Sequence, residues 1–263
     1  MVEVKYVYMS IADEALTHCF MVSKDGKRTL GSIAVGRVLR TGVESRNISE
    51  GDRVTVFPIL GHAPIEIDGA CQSVYSIDTK YVLESSQKAF SDLDMLYIAA
   101  LSINREQLNS VKGVSTLIVG NDLSLLPFMY HSMLYASRLA IIPKYTLWPE
   151  IVKGEHVSIY DSSRRFDTII LASSDPLVND IILKNFREAS TIIIHPSISS
   201  MLRFDNSLLF NSDKHILSIK FGDIASGIEI YSEFKECISK RVKLTNIDDV
   251  PKNIKSPLIV QIS

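Results

Sequence analysis

The side chains of this sequence that could do chemistry gather at the ends of apolar runs. One run closes on Gly120 and is followed by Asn121-Asp122. Another closes on Ile142 and is followed by Pro143-Lys144, and Asp161, Ser173-Ser174-Asp175 and His195-Pro196 follow others. A glycine ending a buried strand lets the amides of a following helix approach an anion; a lysine suits a phosphate, and a histidine can hold or move a proton. Each also has a plainer use. Asp122 and Ser173-Ser174-Asp175 stand before helical patterns and suit N-caps, and His195 before Pro196 suits a turn. Earlier in the chain, His18, Cys19, His62 and Cys71 are metal-ligating types, but the cysteines form no C-x-x-C pair, so only a rearranged site could use them and none is expected. Neither a G-x-S-x-G elbow nor a G-x-x-x-x-G-K-[ST] loop is present, which removes two large classes of hydrolase.

The elements that would position these groups fall into two textures. The first hundred residues read as short strands separated by Gly, Asp and Asn, at 5–9, 15–23, 31–41, 52–57 and 70–77, as in a small β-barrel or sandwich. A helical period then runs over 92–108, carried by Leu93, Leu96, Tyr97, Ala100 and Leu101. Beyond it strands and helices alternate. Strands are expected at 114–120, 139–142, 157–160, 167–172, 190–195 and 215–221, with helices at 123–137, 148–153 and 176–188. Such βαβ alternation predicts a mostly parallel sheet with ligands at the carboxyl ends of its strands. The tail, with a helix at 231–240 and a strand at 257–262, is too short to fold alone and is expected to complete the first domain.

Composition sets the outer limits. At 263 residues, 46% hydrophobic and 22% charged, the chain is globular with room for two moderate cores. A net charge of −2, with basic pairs scattered and no interleaved aromatics, gives no footprint for nucleic acid. The start of the sequence alternates like a strand and no run approaches about 18 apolar residues, so neither a secretory signal nor a membrane span is expected, and the location expected is cytoplasmic.

Several motifs occur in one order along the chain. Gly31, Gly36 and Val38, then Gly42-Val43, then Gly51-Asp52-Arg53-Val54 resemble the G-H-E-x-x-G-x-V, G-x-x-V and G-D-R-V series of the medium-chain dehydrogenase/reductase superfamily, the zinc-type alcohol dehydrogenases and their relatives. Asp68-Gly69-Ala70 is similar to that family's D-G-x-F-A-E-Y strand; the run closing on Gly120, the segment Phe166-Asp167-Thr168-Ile169-Ile170 and the last strand are similar to its later motifs. The resemblance implies a GroES-like β-barrel, residues 1–101 completed by 230–263, and a Rossmann-like doubly wound parallel α/β domain over 102–229. It also implies that much is missing. The G-H-E position reads Gly31-Ser32-Ile33, so the imidazole ligand of a catalytic zinc is gone, and 57–68 holds no cysteine for a structural zinc lobe.

The family's G-x-G-x-x-G turn is reduced to its first glycine in Gly120-Asn121-Asp122-Leu123-Ser124-Leu125. A carboxylate about 4 Å from a phosphate costs about 4 kcal/mol at an effective dielectric of 20, whereas a helix dipole returns about 0.3–2 kcal/mol. Repulsion therefore wins at Asp122 unless its side chain turns away. The expectation is a dehydrogenase scaffold without zinc, nicotinamide or catalytic residues, retained for binding or assembly. The alternative is a zinc-independent NAD(P)H oxidoreductase of quinone-reductase type, with Gly120, Asn121, Asp122, Lys144, Ser173 and His195 as its cofactor-site residues. A homodimer through the strand from Ile216 to Phe221 is expected, as such relatives form, or an unidentified protein partner on the same edge.

Overall fold

A computed structural model of the chain describes residues 1–18, 29–42, 47–85, 87–146, 152–186, 188–199, 214–251 and 254–262. The chain divides into two compact units, Met1–Ser102 with Phe221–Ser263, and Ile103–Lys220. In chain order the first unit opens with β1 (Val2–Met9), α1 (Ile11–His18), β2 (Ile33–Val38), β3 (Arg53–Val56), β4 (Val74–Tyr75), β5 (Val82–Glu84) and α2 (Asp92–Leu101). The second unit holds α3 (Arg105–Asn109), β6 (Ser115–Gly120), α4 (Leu126–Tyr135), β7 (Arg138–Thr146), β8 (Glu155–His156), β9 (Thr168–Ala172), α5 (Pro176–Asn185), β10 (Thr191–Ile194), α6 (Pro196–Ser199) and β11 (His215–Ser218). The chain then returns to the first unit with α7 (Ile224–Arg241), β12 (Lys243–Asn246) and β13 (Leu258–Gln261). The sequence reading divides α7 between units at 229; the helix lies whole in the first.

The first unit's sheet runs β12-β13-β1-β2-β3-β5, with β4 also on β1, and is antiparallel apart from the β12–β13 pair. The tail thus pairs β13 along β1, from Tyr6 with Gln261 to Met9 with Leu258. Val2, Val4, Val7, Val54, Val56 and Val260 meet in its core. A register shift between Val4 and Tyr6 puts both Val4 and Val7 in this one core, whereas strict alternation would send them to opposite faces.

The second unit's sheet is parallel throughout, in the order β11-β10-β9-β6-β7-β8. All five residues of β9 are buried, as a central strand covered on both faces requires. The α/β class with a parallel sheet is therefore as expected.

Several elements differ from the sequence reading. Residues 15–18, expected in a strand, continue the helix α1, because Ser10 and Asp13 cap its start and Ile11, Ala12 and Ala15 are buried; 19–23 lie outside the described residues. The helix expected over 92–108 is two, since Asn104 starts a new helix by accepting from the amide of Glu106. The strand expected at 139–142 runs on through Pro143 to Thr146, because β7 bulges there: Ile118 faces Ile141 but Gly120 faces Thr146. The strand expected at 157–160 is displaced to β8, and the helix expected at 148–153 falls mostly outside the described residues. Helix α7 begins at Ile224, earlier than the reading at 231, under an Asp223 cap that accepts from Ser226.

Helices α2 and α7 are fixed against each other by the stacked rings of Tyr97 and Tyr231, 5.8 Å apart, by the Tyr231 hydroxyl on Asp94, and by Lys235 Nζ 3.3 Å from the same carboxylate. Burial pushes the Asp94 carboxyl up, and the hydrogen bonds from Tyr231, Ser91 and Lys235 outweigh it and hold it at about 2. Gly227 permits the close approach, since a Cβ there would stand 2.3 Å from the carbonyl oxygen of Ile98. Alanine is the better helix former by about 1 kcal/mol. The backbone oxygen it meets cannot turn aside, and overpacking costs about 1–3 kcal/mol. Gly227→Ala is expected to lower the urea-unfolding free energy by up to about 2 kcal/mol, and a gain in stability would contradict this packing.

Candidate functional site at the carboxyl ends of the parallel strands

The turn after β6 is built from the conformation of one glycine. Gly120 ends the strand at φ +138°, and a Cβ on it would stand 1.9 Å from the carbonyl oxygen of Ala172 in β9. Only glycine permits that approach. Asn121, half-buried, leads to Asp122, which is fully buried.

Asp122 then consumes the turn's own donors. Its Oδ1 accepts from the amide of Ser124 at 2.9 Å, its carbonyl accepts from Leu125 at 3.1 Å, and the Leu126 amide turns back to Leu123. Pro127, near the start of α4, has no amide hydrogen to give. The chain therefore makes a short 3-10 turn, Leu123–Leu125, ahead of α4. In such a fold the amides at this place are what a dinucleotide pyrophosphate uses. Here Ser124, Leu125 and Leu126 have given theirs away, and Asp122 and Leu125, at the two lost glycine positions, are fully buried side chains. This turn does not fit a pyrophosphate.

His195, at the end of β10, is brought to the same place. Its Nε2 lies 3.7 Å from Asp122 Oδ1, both side chains are fully buried, and its amide donates to Leu171 at 2.9 Å. Burial pushes the imidazole below its ordinary range against the opposing pull of the Asp122 charge. Ser173, at the end of β9, accepts from the amide of Asp175 through its hydroxyl and from Asn179 Nδ2 through its carbonyl at 3.0 Å. Asp175 caps α5 by accepting from Leu177 and Val178, so the cap falls on the last of the three residues Ser173-Ser174-Asp175.

The structure thus joins Asp122 to His195 and leaves other candidates apart. Lys144 is exposed within β7, where the reading has it just past a strand end, because the strand continues beyond the Pro143 bulge. Asp161 sits before β9, at the amino end, tied to Ser163 and Arg164, so it does not join the carboxyl-end group. Asn179 was missed by sequence reasoning, since nothing in an amphipathic helix marks which amide turns inward.

The metal-ligating types are likewise dispersed. His62 stands beside Glu66, with Nδ1 2.9 Å from Oε2, and burial, assisted by the Asp13 charge, pushes the Cys71 thiol up to about 11. Cys19 lies outside the described residues, as does the side chain of His18. Among the described residues no three such groups converge.

The parallel sheet, its Gly-ended first strand and the helix that follows define a Rossmann-like α/β unit. No protein-family model and no curated protein matches the sequence. Solved structures match it along its whole length. The alcohol dehydrogenase of Aeropyrum pernix aligns at TM-score 0.67 and 12% identity, covering 99% of this chain and 91% of its own. Galactitol-1-phosphate dehydrogenase of Escherichia coli aligns at 0.63 and 11%, covering 98% and 90%. A protein described as a zinc-binding dehydrogenase of Sinorhizobium meliloti, solved bound to NADP, aligns at 0.61 and 13%, covering 99% and 91%. The chain has the fold of the alcohol dehydrogenases, in agreement with the order of motifs in its sequence.

His195 gives a pH dependence of stability. The native imidazole resists protonation, while an unfolded one protonates below about 6.5. The unfolded chain then binds the extra proton, so this contribution is complete above that pH and is lost on acidification. The urea midpoint is expected to fall between about pH 7.5 and 5.5, and to fall less in His195→Gln; equal slopes for the two proteins would refute the assignment.

Proposed function

We propose that this chain is a degenerate medium-chain dehydrogenase/reductase, its first unit a GroES-like barrel, that serves as a non-catalytic binding or assembly scaffold. The observation that carries the reading is the occupation of the turn after β6 by the chain's own Asp122. A carboxylate that accepts the Ser124 amide and lies beside His195 fills with protein the place where an anion would otherwise bind. Supporting it, neither of the later glycine positions has been kept, and both of their replacements pack into the core. Loss of the phosphate donors removes the means of orienting a nicotinamide, which is what zinc-independent hydride transfer depends on.

Titration with NADH and NADPH tests this directly. No nicotinamide fluorescence enhancement is expected at cofactor concentrations up to about 100 μM, where a Kd in the micromolar range would saturate. Micromolar binding would instead make the protein the zinc-independent reductase and direct the search to quinones and enals.

The proposed assembly runs through β11. Among the described residues this strand ends the order of the parallel sheet, with Leu217 exposed and Ile216 half-buried. The amides of His215 and Ile219 donate inward, to Ser190 and Ile194, so those of Ile216 and Ser218 face away from β10. An apolar edge of this kind invites a second strand. Light scattering is expected to give a homodimer, and Ser218→Pro, which removes an outward amide and leaves the β10 pairing intact, a folded monomer. A monomeric wild-type chain at micromolar concentration would remove the homodimer.

A further inference from the structure

A second buried carboxylate lies in the first unit. Asp13, on the first turn of α1, is fully buried, and both of its oxygens are engaged. Oδ1 accepts from the amide of Gly31 at 2.6 Å; Oδ2 accepts from the amide of Ser10 at 2.8 Å and from the hydroxyl of Ser32 at 2.8 Å. The hydroxyls of Ser10 and Ser32 lie 2.6 Å apart, and since Ser32 gives its hydrogen to Asp13, Ser10 gives its own to Ser32. The amide of Ala12 donates to the Ser10 hydroxyl at 3.2 Å.

The backbone is held in the same place. The Ser32 amide donates to Tyr8 in β1, and Ile59 donates to the Ser32 carbonyl. Gly31 has φ +106°, and a Cβ there would stand 2.5 Å from Val7 Cγ1 and 2.9 Å from the Cys71 amide.

A helix cap needs only the Ser10 and Asp13 exchange. Recruitment of Gly31 and Ser32 goes beyond it, tying the start of α1 to the turn before β2. On the medium-chain dehydrogenase reading, on which this step rests, Ser32 stands where the zinc-type motif has its histidine. The residues present do not fit a zinc ion. The hydroxyl at 32 is spent on Asp13, and the carboxylate is already occupied by three donors on two oxygens.

We infer that the Asp13 carboxylate, by holding the Gly31 amide and the Ser32 hydroxyl, closes this position to a metal ion. Charge-assisted hydrogen bonds are the strong kind, and removing a buried acceptor leaves each of its donors unsatisfied.

The test is zinc uptake and thermal stability measured on one preparation. The metal-stripped wild-type chain, dialysed against zinc, is expected to retain no stoichiometric zinc by elemental analysis, and its Tm should be unmoved by zinc or EDTA. Asp13→Ala should lower Tm by roughly 5–15 °C. If it does not fold, Ser32→Ala, which removes one donor, should lower Tm by roughly 2–6 °C. One zinc per chain with a raised Tm, or a Ser32→Ala variant as stable as wild type, would overturn the inference. An NADPH titration of the same preparation separates the two readings. Zinc without nucleotide binding would overturn the carboxylate clamp alone, and nucleotide without zinc would overturn the scaffold reading alone.

Discussion

A carboxylate taken out of water must find donors, because leaving it without them costs more than almost any packing interaction returns. In this protein the nearest donors to a buried aspartate are backbone amides at the start of a helix or turn. Asp122 takes the amide of Ser124 in the parallel-sheet unit, and Asp13 takes those of Ser10 and Gly31 in the antiparallel one. Once made, these bonds determine what the neighbourhood can do. Amides already bonded cannot bind an anion, and carboxylate oxygens already filled cannot accept a cation without losing what they hold.

Around Asp122 the consequences spread along the sheet. The turn it closes is reached through Gly120, whose missing side chain lets β6 lie against Ala172. The same closeness brings the ends of β6 and β10 together with only β9 between them, and so places His195 beside Asp122. Burial pushes the imidazole below its ordinary range while its partner's charge works the other way. What in a dinucleotide-binding fold would be an open, donor-rich turn is here one whose Ser124, Leu125 and Leu126 amides are bonded within the chain.

The likeness to alcohol dehydrogenases is one of fold, at 11–13% identity for the three structures described. A fold fixes where a site can be and leaves open which chemistry it has. The ordered glycines and the apolar runs build the two cores, and at two of the positions where the resembling motifs have an imidazole and a glycine, Ser32 and Asp122 hydrogen-bond within the chain.

The sequence by itself determined the two textures, the parallel α/β unit, the return of the tail to the first unit, and a serine and an aspartate where the resembling motifs have an imidazole and a glycine. These are readable because hydrophobic period and glycine position are local properties of a strand or turn. It also marked Asp122 as a residue at a helix start. Tertiary structure alone decided that His195 meets Asp122, that Lys144 stays in a strand and exposed, and that Asp13 reaches Gly31 and Ser32. The pattern Ser10-x-x-Asp13 could have signalled the helix that replaces the expected strand, yet its long-range partners carry no mark in the sequence. Contacts between residues 18, 19 or 73 positions apart are set by how strands pair and where a bulge falls, as at Pro143, and no local pattern encodes that.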